Sequence, residues 1–453
     1  MSFDYGHKYT LQNVAQQTPL YAAASGVEFV RIQWVDMTNA IRYRVVPIAC
    51  LEKLFDSLRP GVAIVRCTLG MAYMTLADGF SPIGDVMGFF QKMALIQGPE
   101  DQPTVSTNLC PRTNLQRIID DARDRAGVEF LVGFESEFIL LKSANTLEAV
   151  NTHGYGINHA LTPGSIEAQV MEEISHALKD AGIELQMYHS EAASGQYEFV
   201  TGPLPPLESA DALIHTRETI TNIAARHGLR ATLAPRLYMD GPGSSCHTHL
   251  SIHPRDPPPP ATATAESQSA PPPQESSFLA GLLAHLPAIT AFTLPQTSSY
   301  GRMVDGVWAG GTYVSWGTEN REAPVRLCNA ASRSARNFEL RFVDGLANPY
   351  LALASIFGAG TLGVKAKQPL THADCSTLSA AEMDDAARKA AGVTTRMSLN
   401  LDESRKALAG DAALQEVLGE ELVEKYLSLN KALSEAMDAG TEEEAVARLI
   451  ESY

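Results

Sequence analysis

The chain has 453 residues, 45% of them hydrophobic, and its 35 Lys and Arg against 52 Asp and Glu give a formal net charge of -17. This length favours two domains, or one large domain with an appendage, and it allows a sizeable core. The acidic surplus disfavours nucleic acid and anionic membranes as partners, because proteins that bind phosphate backbones present clustered Lys and Arg.

Cysteine usage and hydropathy predict a cytoplasmic protein. The six cysteines are widely spread and include no CxxC pair, which favours a reducing compartment. The N-terminal run MSFDYGHKYTLQN has no apolar signal segment. The most apolar long window, FLAGLLAHLPAITAFTLP, contains His285 and Pro287, which disfavours a membrane span.

The first hundred residues predict a small mixed domain. Strand-like runs at 27–36 and 41–47 flank the turn-like MTNA, and GVAIVRC follows before a stretch rich in Gly and Pro. From about residue 105 the pattern changes: TNLQRIIDDARDRAG predicts an amphipathic helix that ends at Gly127 and leads into the strand FLVGFESEFILLK. We therefore predict an N-terminal domain over 1–104 and a second domain over 105–453.

The rest of the second domain alternates helix and strand patterns before a helical end. IEAQVMEEISHALKDAG predicts a helix and IELQMYHSE a strand. Residues 254–277, PRDPPPPATATAESQSAPPPQESS, predict an exposed, mobile insertion, because proline neither continues a helix nor joins a central strand. A polyproline site for a partner is the alternative. The last hundred residues predict helices with breaks at AAGV and LAGDAA.

Polar residues recur at alternate positions of apolar, strand-like runs. Glu135 and Glu137 alternate in FLVGFESEFILLK, so both carboxylates project from one face of the predicted sheet. A lone strand carboxylate or histidine is more often a solvated surface residue, but five such stretches in one chain favour a shared site. The other four carry Glu191 and Glu198, His247 and His249, Arg321 and Arg326, and Glu339 and Arg341.

Charge counting predicts what such a site holds. In a buried cluster of about five carboxylates with one imidazole, the negative charges repel one another. Unless cations compensate them, the carboxylates take up protons or the site unfolds. Carboxylate-rich ligand sets suit Mg²⁺ or Mn²⁺, two per site, better than zinc. The arginines are then left for substrate anions, such as a polyphosphate and a carboxylate.

The order and spacing of these motifs resemble the prokaryotic-type glutamine synthetase family, from about residue 20 to the end of the chain. The matching stretches are FESEF, EAASGQYEF, HTHLS, SSYGRM, NREAPVR and FELRFVDGLANPY. The resemblance implies an α+β fold, with an N-terminal β-grasp domain and a catalytic domain whose antiparallel sheet is flanked by helices. It also implies ATP, two Mg²⁺ or Mn²⁺ ions, glutamate and an amine as ligands, and a homo-oligomer built as a double ring, like a dodecamer.

The resemblance assigns roles to individual residues. The implied ligands are Glu137, Glu191 and Glu198 for one metal, and Glu135, His247 and Glu339 for the other. The implied substrate contacts are His249, Ser251 and Arg326 for the nucleotide, Gly243, Arg302 and Arg341 for the acyl substrate, and Arg321 for the transferring phosphate. Asp36 matches an aspartate that reaches the active site of a neighbouring subunit.

Three positions depart from the family pattern. Ammonia-using members carry a glutamate at the position of Trp308, in a flap that completes the ammonium pocket and accepts its proton. Indole accepts no proton, but its apolar area and π face suit an alkyl, aryl or polyamine nucleophile, as in the γ-glutamyl-amine and γ-glutamyl-polyamine ligase branch. The alternative is that Trp308 only packs the flap. Pro242 replaces an asparagine near the acyl substrate, and Asn337, preceded by Arg336, replaces a phosphate-binding arginine.

The leading hypothesis is an ATP-dependent ligase that activates the γ-carboxyl of glutamate as an acyl phosphate and joins it to an organic amine or polyamine. In this interpretation Arg321, Arg302, Asp36 and Trp308 act in catalysis. Glutamine synthesis from ammonia is the second hypothesis. A non-catalytic scaffold or regulator with the same fold is the third.

Overall fold

A small N-terminal part made of short strands precedes a larger part built on one eight-stranded sheet. The computed structural model describes residues 26–55, 63–73, 75–81, 87–89, 109–143, 147–152, 161–238, 241–255, 271–332 and 334–453. The strands are β1 (Phe29–Val35), β2 (Ile41–Pro47), β3 (Ala63–Val65), β4 (Met71–Ala72), β5 (Thr75–Leu76), β6 (Met87–Phe89), β7 (Val128–Leu141), β8 (Leu185–Ser190), β9 (Gln196–Thr201), β10 (Arg230–Thr232), β11 (Thr248–Pro254), β12 (Trp316–Thr318), β13 (Val325–Cys328) and β14 (Asn337–Leu340).

Helices cover the sheet and form most of the C-terminal region. They are α1 (Ile48–Phe55), α2 (Pro111–Asp121), α3 (Ile166–Asp180), α4 (Pro206–Arg226), α5 (Pro273–Thr293), α6 (Thr297–Arg302), α7 (Pro349–Ala366), α8 (Asp385–Ala390), α9 (Leu401–Gly410), α10 (Ala412–Leu418), α11 (Glu420–Met437) and α12 (Glu442–Ser452). The predicted helical end of the chain is confirmed, including the break at LAGDAA, where Asp411 separates α9 from α10.

The described residues of the N-terminal part form three small two-stranded sheets. β1 and β2 pair antiparallel in full register, from Phe29 opposite Pro47 to Val35 opposite Ile41, which confirms the two predicted strands and the turn between them. Trp34 and Leu69 lie in the same continuous hydrophobic cluster as Phe130 on β7 and Phe357 on α7. The N-terminal strands therefore share a core with the larger part. The predicted boundary near residue 105 lies outside the described residues and stays a prediction.

The large sheet has the strand order β12-β13-β14-β11-β7-β9-β8, with β10 also paired to β7. All its pairs are antiparallel except β12 with β13, so the predicted antiparallel sheet is confirmed with one parallel pair at its edge. The first half of β7 pairs with β11, and the half that begins at Glu135 pairs with β9. Glu135 therefore lies where β7 changes from one neighbour to the other.

Local sequence signals explain where the helix before β7, α2, begins and where its extension ends. α2 begins with Pro111 in its first turn, where the missing N–H costs nothing. It continues as a π-helical turn over Ala122–Ala126 and stops at Gly127, whose φ of 67° is left-handed. The predicted helix, its stop and the following strand are confirmed.

The apolar helix α5 is a core helix of the fold. It is the one helix of the described part that is long and apolar enough to cross a membrane, and 72% of its most apolar window is buried inside the protein. It crosses α7 at a glycine contact: an ideal Cβ on Gly363 lies 2.1 Å from the Ser277 carbonyl and 2.8 Å from Gly281 Cα. Only glycines permit this close approach.

The proline-rich segment is shorter than the predicted 254–277. β11 continues through Pro254, and α5 begins at Pro273, so the prediction is wrong at both ends. Proline is accepted in the first turn of a helix because the N–H groups there have no intrahelical partner. Residues 256–270 lie outside the described part of the chain.

Candidate active site

The sheet brings the predicted acidic residues together around one imidazole. Glu137 on β7 lies directly opposite Glu198 on β9, and Glu135 lies two positions earlier on β7. Nδ1 of His247, just before β11, is 3.0 Å from Glu135 Oε2, 3.7 Å from Glu137 Oε1 and 3.6 Å from Glu339 Oε1. Residues more than two hundred positions apart thus meet at a single point.

Glu191 completes the set from the turn after β8. Its carboxylate accepts the N–H of Ala192 at 3.0 Å. His189, opposite Glu198 in the pairing of β8 with β9, places Nε2 3.3 Å from Glu191 Oε1 and 3.8 Å from Glu198 Oε1. All six predicted metal ligands therefore line one site, although their individual roles stay predictions.

Three groups of donor atoms are compact enough to share a cation, since the atoms of each lie within 4.8 Å of one another. The groups are Glu135, Glu198 and His247; Glu135, His249 and Glu339; and His189, Glu191 and Glu198. They differ from the predicted division, because two further histidines enter and Glu137 belongs to none of the three. The donors are mostly carboxylate oxygens with imidazole nitrogens, a set that fits Mg²⁺ or Mn²⁺.

Glu137 is held by hydrogen bonds within the chain. Its carboxylate accepts the N–H of Ser245 at 2.9 Å, the Ser245 hydroxyl, and the Gln196 amide at 3.2 Å. Gln196 also donates to the carbonyl of Gly243 at 2.9 Å. The segment before β11 and the start of β9 thus orient this carboxylate.

One side of the cluster favours protonated carboxyls. Burial, followed by the charges of the neighbouring glutamates, raises the pKa of Glu198 to about 10. Burial and the nearby Glu137 also raise the pKa of Glu191. With no cation beside it, Glu198 therefore carries a proton at neutral pH.

The other side favours ionised carboxylates. Burial acts to raise the pKa of Glu135, but hydrogen bonds from His247 and His249 outweigh it and hold that pKa well below the usual range. Burial likewise opposes the charges of His247, Arg341 and His249, which lower the pKa of Glu339 to about 2. Against its own burial, the hydrogen bond to Glu135 raises the pKa of His249 to about 9.

Two of the predicted substrate arginines flank Glu339. Arg326, opposite Glu339 across β13 and β14, donates Nη1 to Glu339 Oε2 at 2.9 Å and Nη2 to Glu319 Oε2 at 2.5 Å. Arg341, one residue past β14, donates to the other Glu339 oxygen. It also donates Nη2 to the carbonyl of Trp308 at 2.7 Å.

The three residues predicted to hold the acyl substrate lie together. Arg302 is buried and donates Nη2 to the carbonyl of Arg341 at 3.1 Å. An ideal Cβ on Gly243 lies 2.5 Å from Arg302 Cγ, so only glycine fits there. The buried Nε atoms of Arg302 and Arg341 have no hydrogen-bond partner among the described residues. Burial also lowers the pKa of Arg302.

Two of the predicted nucleotide residues, His249 and Ser251, share one face of β11. His249 Nε2 is 2.9 Å from Glu135 Oε1, and its Nδ1 is 2.8 Å from Asn337 Oδ1. The Asn337 amide is itself oriented, because its Nδ2 donates to Ala335 O at 3.0 Å. Ser251 Oγ lies 2.8 Å from His253 Nε2.

Arg336 does not replace the arginine that the family has at position 337. Its Nε is 3.0 Å from Glu275 Oε2 in α5, and its Nη1 donates to Ala330 O at 3.3 Å. The side chain is therefore engaged with the helix rather than with the acidic cluster. Asn337 is uncharged, so the site has one positively charged side chain fewer than the family pattern implies.

Trp308 lies on an exposed loop. Its side chain is 75% exposed, so it does not pack against the described part of the chain, as the alternative of a tryptophan that only packs the flap required. Its backbone N–H donates to Glu322.

Arg321, the residue before Glu322, is exposed and lies in the turn between β12 and β13. Its predicted placement in a strand-like run was therefore wrong.

Asp36 differs from its expected orientation. Its carboxylate is fully buried in its own turn, where it accepts from Thr38 N at 2.9 Å, Ala40 N at 3.0 Å and Arg42 Nε at 2.7 Å. Burial raises its pKa although these partners act to lower it. A role across a subunit interface requires this carboxylate to leave its turn, and that role stays a prediction.

Sequence reasoning missed three contributors to the site: His189, Ser245 and Glu322. His189 lies two residues before Glu191 on a predicted strand, so the period of two that revealed the other pairs also points to it. The other two act through backbone and side-chain hydrogen bonds across long sequence separations, for which a single sequence carries no signal.

Residues 108–448 match the family model described as glutamine synthetase, catalytic domain. The chain belongs to the glutamine synthetase family. It is accordingly a carbon–nitrogen ligase, and the resemblance stated from its motifs is confirmed.

Relatives within this family differ in what their names describe. Protein fluG of Emericella nidulans is 35% identical over 449 residues, which cover 94% of this chain but only 49% of that protein, so the chain spans about half its length. Gamma-glutamylpolyamine synthetase GlnA3 of Streptomyces coelicolor is 34% identical over 428 residues, 89% of each chain. A solved GmaS/ADP complex superposes with a TM-score of 0.72 at 25% identity and covers 94% of this chain and 98% of that one.

Proposed function

We propose that this protein is an ATP-dependent ligase that activates the γ-carboxyl of glutamate as an acyl phosphate and joins it to an organic amine or polyamine. The observation that carries the proposal is the exposed indole of Trp308 on a loop bound to Arg341, which also pairs with Glu339 of the acidic cluster. An aromatic face suits alkyl chains and cationic nitrogen atoms better than it suits ammonium in water. The relative GlnA3 is named as a gamma-glutamylpolyamine synthetase, which supports the same substrate class.

The donor chemistry fits two Mg²⁺ or Mn²⁺ ions held by the carboxylates and imidazoles of the cluster. When bound, such cations neutralise phosphate oxygens and so reduce their repulsion of an attacking carboxylate. The residues proposed to hold them are Glu135, Glu137, Glu191, Glu198, His247 and Glu339, with His189 and His249 within reach.

The arginines of this chain are suited to hold the anionic substrates. Arg302 and Arg341 each have a buried Nε without a protein partner in the described part of the chain, and a substrate carboxylate is a matching acceptor. Arg326 lies beside Glu339, and the exposed Arg321 is free to approach a phosphate from the loop side. We propose that this set orients the γ-carboxylate toward the terminal phosphate of ATP.

Once the terminal phosphoryl group of ATP has moved to the γ-carboxylate and ADP has left, the amine nitrogen attacks the acyl carbon, phosphate leaves, and the nitrogen gives its proton to phosphate or water. Trp308 takes no proton in this step, so the amine must reach the acyl phosphate in its neutral form. The indole contributes by excluding water and by contacting the carbon chain of the amine. From the family resemblance we also propose a cytoplasmic homo-oligomer arranged as a double ring.

One assay separates the three hypotheses. Phosphate release from ATP is measured with Mg²⁺ and glutamate, and ammonium, ethylamine, putrescine, spermidine or an aromatic amine is added in turn. We expect release and a γ-glutamyl-amine product by mass spectrometry with organic amines and not with ammonium. Release with ammonium alone overturns the proposal in favour of glutamine synthesis.

Controls address contaminating ATPases and an inactive protein. The Glu339→Gln variant removes one charge from the cluster and is expected to lose amine-dependent release, so any activity it retains reports a contaminant. No release with any amine, together with retained binding of a non-hydrolysable ATP analogue, supports the non-catalytic scaffold instead.

A further inference from the structure

One carboxylate, Glu322, holds the loop that carries Trp308. Its Oε2 accepts the backbone N–H of Gly306 at 2.9 Å, and its Oε1 accepts the backbone N–H of Trp308. The Glu322 main chain is fixed in turn, because its N–H donates to Asn320 Oδ1 at 2.8 Å. The Asn320 amide donates to the carbonyl of Cys375 at 2.5 Å.

The loop needs such support because its conformation is intrinsically unfavourable. Trp308 has φ 57°, a left-handed conformation that is unfavourable for a residue with a side chain. Its side chain is 75% exposed and therefore contributes little packing to hold the backbone there. Hydrogen bonds from outside the loop must supply the stabilisation.

Contacts on both sides of Trp308 set where its indole lies. Glu322 holds its N–H, and Arg341 holds its carbonyl at 2.7 Å. Asp305 closes the base of the loop by accepting Thr312 N at 2.8 Å and Thr312 Oγ1 at 2.9 Å. An ideal Cβ on Gly311 lies 2.6 Å from Glu322 O, so the loop packs directly against the Glu322 segment.

We propose that Glu322 is a positioning residue that determines amine specificity by fixing Trp308 next to the acyl-substrate arginines. This inference rests on the proposed function, in which Trp308 forms the wall of the amine site. Glu322 follows Arg321 in the chain, so the same short segment places both the amine wall and the arginine proposed to meet the phosphate. The carboxylate also brings a negative charge near the indole, which favours a polyamine that keeps a distant nitrogen cationic while its attacking nitrogen is neutral.

Tryptophan fluorescence tests this positioning without any turnover. The chain has three tryptophans, all within the described residues, and Trp34 and Trp316 are 7% and 4% exposed against 75% for Trp308. Iodide quenching therefore selects Trp308, and Trp308→Phe defines its share of the signal. We expect Glu322→Ala to lower the anisotropy of the quenchable component, and Glu322→Gln to lie between Ala and wild type because an amide has one acceptor oxygen.

The kinetic readout is a difference between substrates. For Glu322→Ala we expect the amine KM to rise about tenfold, as for the loss of charge-assisted hydrogen bonds, while the KM for ATP changes less than about twofold. Glu444→Ala is the matched control, because Glu444 accepts the Thr441 N–H at 2.9 Å at the start of α12. It is expected to change neither readout.

The outcomes separate this inference from the proposed function. Unchanged anisotropy in both Glu322 variants overturns the positioning role, and a changed anisotropy with an unchanged amine KM overturns the specificity role. A wild-type protein that uses ammonium but no organic amine overturns the proposed function and the specificity role, and the anisotropy then decides positioning alone. Should Glu322→Ala fail to fold, Glu322→Gln gives the same tests.

Discussion

Glu137 and Glu198 lie directly opposite each other on the paired strands β7 and β9. Two carboxylates in such positions repel each other and weaken an antiparallel pair unless their surroundings compensate. Here Ser245 and Gln196 donate hydrogen bonds to Glu137, whereas burial and neighbouring charges raise the pKa of Glu198 to about 10. The pair is tolerated through one proton and several donors, and a divalent cation is able to take the place of that proton.

Metal binding should release a proton from Glu198. Because the cation and the proton compete for this carboxyl, the apparent Mn²⁺ affinity should rise with pH, by up to about tenfold per unit below pH 10. Calorimetry in buffers of different ionisation enthalpy measures the protons released. Glu198→Gln should release fewer, and binding without proton release in the wild-type protein at pH 7 contradicts the prediction.

The metal-free protein should lose stability as pH rises. The pKa of Glu198 is about 10 in the folded state, against 4.5 for an ordinary glutamate. Below pH 4.5 both states carry the proton, and above it only the folded state does, so this group lowers the free energy of unfolding by up to about 1.4 kcal/mol per pH unit. Urea unfolding with a chelator at pH 6 and pH 9 should show a smaller loss for Glu198→Gln; equal losses rule the effect out.

Removing the Asn337 side chain should weaken cation binding. Asn337 accepts from His249 Nδ1 while Ala335 fixes its amide, so Nε2 of the imidazole faces Glu135. Loss of an orienting partner of this kind typically costs tenfold or more in metal affinity, and we expect about tenfold weaker Mn²⁺ binding for Asn337→Ala. Electron paramagnetic resonance of free Mn²⁺ gives the affinity directly.

Asn329 provides the matched control for Asn337. It also donates to Ala335 O, at 3.4 Å, but it is exposed and touches no histidine in the described part of the chain. Asn329→Gly keeps its positive φ accessible and should bind Mn²⁺ like the wild type. Equal affinities for both variants show that Asn337 does not orient His249.

Replacing Trp308 with glutamate should raise ammonium use. A carboxylate at this position accepts a proton and attracts ammonium, whereas the lost indole removes apolar contact with an organic amine. Since the side chain is 75% exposed, the free energy of unfolding should change by less than about 0.5 kcal/mol. Competition between ammonium and putrescine, read by product mass, reports the change; Trp308→Phe should keep the amine preference, and no gain in glutamine from Trp308→Glu refutes the role.

A single methyl group at the crossing of α5 and α7 should destabilise the fold. The Cβ of Gly363→Ala lies 2.1 Å from Ser277 O, so the helices must separate, at about 1–3 kcal/mol in the free energy of unfolding. Gly410 ends α9 with nothing within 4 Å of its ideal Cβ. Gly410→Ala should therefore be neutral or slightly stabilising. Similar melting temperatures for the two variants disprove the tight crossing.

Much of the fold follows from local patterns. The strand that follows Gly127 and carries Glu135, the hairpin at 29–47 and the helices of the C-terminal region appear where alternation, amphipathic period and a glycine stop predicted them. The ends of the proline-rich segment do not lie where they were predicted, because a proline such as Pro273 starts a helix as readily as it interrupts one. Local propensity gives the type of an element more reliably than its ends.

The alternation of charged residues is enough to predict that pairs of them share strand faces, because a period of two is a property of the extended backbone. The three-dimensional packing is needed to show that Glu135 and Glu198 each enter two cation groups, that burial raises the pKa of Glu198, and that Glu322 holds the loop of Trp308. These relationships depend on strand register and on burial between segments far apart in the chain. Both are set by the packing of the whole sheet, so no local pattern of residues encodes them.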